Sequence, residues 1–415
     1  MKITTWRAAA LALLTAVLVA GVALSTASAT VRKARAQTLV IWADNDRKAA
    51  VTQLAQQWGA ARGVAVSVVV QDFGQIRDKL GTVAAADAPD VTLAAHDWTG
   101  QLAANGLVEP LFLKPAVAAQ FPKYTRDAFS YGTAVKRLYG VPVAIENIGL
   151  VVNTKLAKVP TTWAQLEREA LAFKKAHHTA FGIAVQQGTN GDAYHMYPFF
   201  SGLGGFVFGV NKAGNLDPSD IGVANAKFLK NAGLIDKWNK EGLINSKLDA
   251  STALNAFLKQ QTPFWLTGPW NSDTLKKSGL SYRIVQLPKI VYPSVPFLGV
   301  QGLVVTKYAS AHGVESLAQD FVTNFMASPT AQAALAAANG RFPANTVAGK
   351  SVKDATLAQF GKAGVGGVPM PNIPQMSSVW TDLGQAWVRS TKGAGAMPAK
   401  RSFTGAARSI AAKIG

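Results

Sequence analysis

Two α/β lobes, each a sheet flanked by helices, are the fold that this 415-residue sequence predicts. Three observations carry that expectation. Short apolar runs of strand length alternate with segments of helical period, the alternation occurs twice along the chain, and no long linker or internal repeat separates the two sets. The length is enough for two well-buried cores, and a 49% hydrophobic content is that of a globular chain.

Residues 38–42 are a short β-type run. Val51, Leu54, Ala55, Trp58 and Ala61 then recur at helical spacing, with Gly63 as the stop. Residues 64–70 return to strand, 76–86 read as helix and 91–94 as strand, which completes a β-α-β-α-β set and implies a largely parallel sheet. The second set begins with a strand at 150–152. Thr162 with Gln165 makes a capping box ahead of a helix from Trp163 to about Ala176. Further strands are expected at 183–185, 262–266 and 284–287, and one long amphipathic helix at 223–238. Ser328-Pro329 opens an alanine-rich helix that ends at Asn339-Gly340. Sheets of this kind gather ligands at the carboxyl ends of their strands, where Asp46, Arg47 and Asp97 fall.

The first 36 residues read as an export leader. Lys2 and Arg7 precede an uncharged apolar stretch at 8–24, and Ala27-Ser28-Ala29 or Ala34-Arg35-Ala36 suits cleavage. A retained anchor is the alternative, although 17 apolar residues fall short of the ~20 that span a bilayer. Either reading places the body outside the cytoplasm, periplasmic or at the cell surface. The chain has no cysteine, which excludes disulfides, thiolate chemistry and a lipid-modified cysteine, so a lipoprotein is not expected.

The formal charge is +19, or +14 once the leader's five cations are removed. The basic residues are scattered and belong to no nucleic-acid motif, so a solvated basic surface is expected and nucleic acid is not. There is no Gly-x-Ser-x-Gly, no phosphate-binding loop and no His-Glu-x-x-His, and the glycine clusters at 202–205 and 364–367 read as turns. No catalytic residue, metal ligand or cofactor is assigned. A glycosidase, which needs only two carboxylates such as Asp97 and Glu146 across a sugar, is the minor alternative.

One C-terminal stretch stands apart: Met370-Pro371-Asn372-Ile373-Pro374-Gln375-Met376-Ser377-Ser378-Val379-Trp380. Two prolines fix an extended entry, and Ser377 is an N-cap candidate for a helix through Ala386, with Trp380 in its first turn. This segment resembles the maltose- and maltodextrin-binding proteins, the periplasmic solute receptors of ABC transporters, in which the matching tryptophan stacks on glucose. Other motifs follow the same family in the same order. They are Leu39-Val40-Ile41-Trp42 with Asp46-Arg47, Pro89-Asp90-Val91 with His96-Asp97, residues 139–146, Gly268-Pro269-Trp270 and residues 296–300. The resemblance implies a type II periplasmic-binding-protein fold, two lobes with the ligand in the cleft between them. Its lobes would be 37–145 plus 299–352 and 146–298 plus 353–415. It further implies a monomer that delivers an oligosaccharide to membrane permease subunits.

The chemistry of such a site follows from the sugar. Aromatic rings cover its C–H face, while charged groups hold its hydroxyls with stronger hydrogen bonds than neutral ones. Trp270, Trp380 and Tyr194 are the stacking candidates, Asp46, Asp97, Glu146 and Asp192 the acceptors, and Arg47 the donor. Asp46 and Asp97 read equally as helix caps. Asp192 and Tyr194 read equally as surface residues, whereas Glu146 lies among apolar neighbours and requires a partner or ligand. Trp42, Trp58 and Trp163 are expected in the core. Against the family pattern, Ala94 replaces a tryptophan, Trp98 an arginine, Arg47 a lysine and Asp192 a glutamate. Trp98 is therefore a further candidate, a stacking surface moved from position 94. These exchanges alter the reach of the hydroxyl-binding groups, so the receptor class is better founded than maltose as its ligand, and trehalose or a different oligosaccharide is the alternative.

Overall fold

The computed structural model describes residues 37–132 and 135–414; the expected leader lies outside them. Strand Thr38–Ala43 leads into helix Asn45–Ala60, whose first turn is capped by the Asp44 side chain accepting from the Arg47 amide. Strands Ala65–Val70 and Val91–Ala95 flank the first strand on either side, both parallel to it. The sheet continues with Phe297–Val305, then Val141–Asn147, then the short Phe342–Pro343, each antiparallel to its neighbour. A second sheet orders Tyr282–Val285, Gly149–Asn153, Phe264–Thr267 and Ala184–Val185, with only the last pair parallel.

Both sheets are thus mixed, not mainly parallel. The reason is topological: the strands that change lobe arrive from outside the sheet they join. They need no helical crossover of the kind that enforces parallel pairing.

Three segments run side by side where the lobes meet. Only Ile148 separates strand Val141–Asn147 of the first sheet from Gly149–Asn153 of the second. Phe297–Val305 returns alongside, with Leu298 opposite Asn147 and Gly299 opposite Glu146. Val368–Pro369 then pairs with Phe297 and Leu298. The first core gathers Trp58, Phe121 and Phe321 under the first sheet. The second gathers Trp163, Phe199, Trp238, Trp387 and Phe403 under the other. Trp42, Trp58 and Trp163 are all buried, as expected.

Local differences from the sequence expectation have local causes. The helix expected at 76–86 occupies Phe73–Leu80 and stops at Gly81. The long helix expected at 223–238 is a short 3₁₀ turn and two helices, Ala226–Asn231 and Gly233–Glu241, broken at Gly233, a weak helix former. Ser377 does not cap a helix. Residues Pro374–Ser378 form a 3₁₀ turn in which the Ser377 hydroxyl donates to the Pro374 carbonyl at 2.8 Å, and the helix runs Val379–Thr391. Trp380 stays in its first turn.

The Trp163 ring lies 4.9 Å from that of Trp238 and meets Phe199 edge-on. Trp163→Ala removes this contact from the second core and should cost roughly 3–5 kcal/mol. Thermal unfolding by circular dichroism checks it, and an unshifted midpoint would contradict the packing.

Candidate functional site

The floor of the space between the lobes is built around Glu146. Its carboxylate is buried at 7% exposure, which is costly unless it is neutralised. Arg341 donates from Nε to Glu146 Oε2 at 2.8 Å, and Gln301 donates from Nε2 to Oε1 at 2.7 Å. Gln301 in turn accepts from Arg47, whose guanidinium pairs with Asp44 and lies 4.8 Å from the Phe73 ring centroid. Burial alone would raise the Asp44 carboxyl, but the Arg47 charge holds it below the usual carboxylate range. A guanidine nitrogen of Arg341 also stands 3.7 Å from Asp46, which is otherwise exposed. A cavity of about 540 Å³ opens beside this crossing, with Glu146, Asn147, Pro269, Leu298 and Phe342 in its wall.

Asp97 sits at the carboxyl end of strand Val91–Ala95, in a 3₁₀ turn, and caps no helix through its side chain. The Trp380 indole, on a helix of the other lobe's core, donates to Asp97 Oδ2 at 3.0 Å. Burial lifts the Asp97 carboxyl to about 6 despite that bond. Neighbouring His96 bridges two of the crossing segments. Its Nδ1 accepts from the Val300 amide at 3.1 Å, which fixes the proton on Nε2, and Nε2 then donates to the Met370 carbonyl at 3.0 Å. Burial pushes this imidazole down to about 4, so it is neutral. The Asn372 amide reaches three carbonyls, of Asp127, Ala128 and Ser130, at 2.9–3.1 Å. The Met-Pro-Asn-Ile-Pro stretch is therefore first of all a seam between lobes. A side chain at Gly100 would strike its backbone, 2.4 Å from the Asn372 oxygen.

The second lobe supplies rings. Asp192 caps helix Ala193–Gly202 by accepting from the His195 amide at 2.9 Å, and it also accepts from Gln186 at 2.7 Å. Burial would raise Asp192, but His195 and these bonds keep it below the ordinary range. Tyr194 lies 6.3 Å from Trp270 and 6.2 Å from Phe297, centroid to centroid, and His195 meets Trp270 edge-on at 5.5 Å. Phe297 also meets Trp380 edge-on at 5.9 Å. The Trp270 ring folds back over Gly268, where a Cβ would fall 2.2 Å from it, which accounts for glycine in Gly268-Pro269-Trp270. Gly299 likewise keeps the floor clear, since its Cβ would lie 3.0 Å from Glu146 Cγ and 3.3 Å from the Tyr194 hydroxyl. That hydroxyl and His195 Nε2 are buried without a hydrogen-bond partner among the described residues. Each is an unmet demand on whatever fills the space.

The structure brings Asp97, Glu146, Tyr194, Trp270 and Trp380 together and leaves Asp46 at the rim. Asp192 lies beneath them as the cap that orients Tyr194 and His195. Arg47 is placed otherwise than a free donor would be: it is 1% exposed and committed to Asp44. Trp98 is not a displaced stacking face either. It is 7% exposed and packs within the first lobe, against Phe73 at 4.9 Å in a cluster with Trp42, Ile76 and Leu80. Sequence reasoning missed Asp44, Gln301, His195 and Arg341. For Arg341 the available signal was a lone arginine after a helix-ending Gly340. Among the described residues no group of three or more His, Cys, Asp or Glu side chains is placed to hold a metal ion.

Comparison with known proteins now bears on this arrangement. Residues 53–360 match the family model described as bacterial extracellular solute-binding protein. The chain belongs to that family. Among the relatives of this solute-binding protein, the galactooligosaccharide-binding protein of Bacillus subtilis is 27% identical over 84% of this chain and 83% of its own length. The maltodextrin-binding protein of the same organism is 30% identical over 72% and 71%. A solved structure, the Thermus thermophilus maltotriose binding protein bound with maltotriose, superimposes with a TM-score of 0.79 at 27% identity, covering 91% of this chain and 100% of that one. The fold is accordingly the two-lobed type II periplasmic-binding architecture.

The Asp97 carboxyl gives the site a pH signature. Its value in the fold is raised from an ordinary 3.8 to about 6. The stabilisation tied to the protonated form is complete below the unfolded value and is lost as pH rises through the folded one. Asp97→Asn, whose amide oxygen still accepts from Trp380, should remove that loss. The gain in melting temperature over the wild type should therefore grow between about pH 4 and pH 7, up to a ceiling of roughly 3 kcal/mol. A difference independent of pH would contradict it.

Proposed function

We propose that the protein is an extracytoplasmic receptor of an ABC importer that binds maltodextrin-type α-glucan oligosaccharides between its lobes and releases them unchanged. The observation that carries this reading is the unsatisfied Tyr194 hydroxyl, beside the Trp270 and Phe297 rings and within the field of the Glu146 and Asp97 carboxylates, with the unsatisfied His195 Nε2 on a ring that meets Trp270 edge-on. Such a surface pairs ring faces with hydroxyl-binding groups, which is what a sugar requires. Maltodextrin and maltotriose ligands in the names of related proteins support the same class.

In this reading Trp270, Trp380 and Tyr194 stack on sugar rings, and Asp97, Glu146 and Asp46 accept from hydroxyls. Asp192 orients the helix that carries Tyr194, while Arg47 and Trp98 support the floor from behind. The lobes are residues 37–145 plus 299–352 and 146–298 plus 353–415, and they move about Glu146 and Leu298, whose strands are paired at the crossing. Residues 1–36 export the chain, and without a cysteine no lipid thioether holds it. The working form is a monomer that meets permease subunits in the membrane. It has no catalytic role and needs no cofactor. A second reading, a galactooligosaccharide ligand, is favoured by the relative of that name and by the burial of Ala94 and Trp98, which present no ring to the cleft at those two positions.

Isothermal titration with maltose through maltotetraose and with galactooligosaccharides decides between them. Heat with the α-glucans, with maltotriose recovered intact, is expected; heat with galactooligosaccharides alone selects the second reading. Trp270→Ala and Trp380→Ala should each weaken binding by ~1–4 kcal/mol, tens- to hundreds-fold. Unchanged affinity in both would sink the site assignment. X-ray scattering should show a smaller radius of gyration at saturating ligand, and an unchanged curve would count against the hinge.

A further inference from the structure

Away from the cleft, the last two helices enclose a groove of about 770 Å³. Helix Val379–Thr391 forms one wall and the terminal helix Ala399–Ile414 the other. Arg389, Lys400, Arg401 and Arg408 line it, with the Thr404 hydroxyl and Gly405 between them. Its one carboxylate, Asp382, is already paired with Lys413 at 2.7 Å. Among the described residues Lys400, Arg401 and Arg408 form no ion pair, and all three are exposed. Arg389 is held towards the groove by its Nε bond to Ser402 at 3.2 Å.

The terminal helix breaks two local rules on this one face. Lys400 and Arg401 occupy its first turn, where the backbone amides already present positive charge and no residue of the turn is acidic; the one carboxylate there, Asp236 of another helix, is taken by the Ala399 amide at 2.8 Å. Gly405 sits in the helix interior, where glycine is less stable than alanine. No internal packing demands that glycine, because a Cβ there would meet nothing within 4 Å. Positions 401, 404, 405 and 408 share a face at helical spacing. Phe403 and Ile410 are buried, as are Ser402 and Ala406 at the base of the groove. A segment that is locally unfavourable only where it faces outward is shaped for something outside.

We propose that this groove binds a phosphodiester anion, either the headgroup of an anionic phospholipid or a repeat of a soluble phosphate-backbone polymer, and so holds the protein at the cell envelope. Three arginine forks match phosphate oxygens, the threonine hydroxyl adds a donor, and the bare Gly405 lets a tetrahedral group reach the helix surface. An extended polyanion is favoured over an acidic peptide because the excess of positive charge, +14 without the leader, is spread along the chain. Surface and groove then act in concert against a charged plane or polymer.

The test is sedimentation with vesicles of phosphatidylcholine alone or mixed with phosphatidylglycerol, with and without poly(glycerol phosphate) as a soluble competitor. Binding only to the mixed vesicles is expected, and it should weaken at least about tenfold in Arg401→Ala/Arg408→Ala, each cation near an anionic surface being worth about a factor of five. Gly405→Glu should abolish it by filling the floor, while Gly405→Ala should raise the melting temperature and keep most of the binding. Competition by the polymer assigns the site to polymer as well as lipid; lack of competition assigns it to the headgroup. Mixed-vesicle binding that is equal in the wild type, the double variant and Gly405→Glu would overturn the groove in favour of diffuse surface charge. Binding to a polyglutamate peptide but to neither phosphate source would overturn the phosphodiester assignment. Thermal unfolding of every variant separates loss of binding from loss of fold, and none of these readouts depends on which sugar the cleft takes.

Discussion

The buried carboxylate of Glu146 is the constraint on which the arrangement of the lobes depends. It lies on the strand that leaves the first sheet, opposite Gly299 on the strand that returns, and that returning strand in turn pairs with the third segment to cross. An unpaired carboxylate there would be prohibitive, so Arg341 and Gln301 must come to it. Arg341 arrives from the end of an alanine-rich helix, and Gln301 carries the link on to Arg47 and the Asp44 cap of the first helix. Charge of alternating sign thus runs from the first βα turn to the crossing. Because the fold has already oriented these groups, a ligand entering the space does not have to order them.

The two sides of that space divide the chemistry between them. The first lobe offers carboxylates and the guanidinium of Arg341. The second offers Tyr194, Trp270 and Trp380, backed by Phe297, which stacks on Tyr197 at 3.5 Å. Ala94 is buried at 1% and Trp98 packs beneath its own sheet, so no indole faces the cleft from the first lobe at either position. The Trp380–Asp97 hydrogen bond joins the two halves across the gap. An elongated ligand in such a space is covered on one side and held by its edges on the other.

Much of this was legible in the residues because helical period, caps and breakers are local. The Ser328 cap, the Gly340 stop and the burial of Trp58 and Trp163 needed no knowledge of the whole chain. The parallel character of the sheets was overread because strand direction depends on where a strand comes from, and the crossing strands come from the other lobe. Arg47 was misjudged for a related reason. Its role is set by Asp44, three residues earlier, and by Gln301, distant in sequence, and only the fold shows that both are present. Asp97 was left open between cap and site, and it is neither a cap nor free; it is bound to an indole from the far end of the chain. Pairings across hundreds of residues leave no periodic trace.

The helix Val379–Thr391 carries this division of labour one step further. Trp380 in its first turn faces the space between the lobes, and Arg389 near its end lines the basic groove. Nine residues of helix separate them by roughly 14 Å along the axis. Between them Leu383, Ala386 and Trp387 are fully buried against the terminal helix and the second core, so the element is rigid. An anion held in the groove would therefore sit on the flank of the second lobe, clear of the crossing strands about which the proposed hinge turns. It restrains one lobe only. Under the proposed hinge, the first lobe, tied to the second by three strands and the Trp380–Asp97 bond, is the one left free to swing. A receptor attached in this way stays at the envelope without surrendering the motion that admits its ligand.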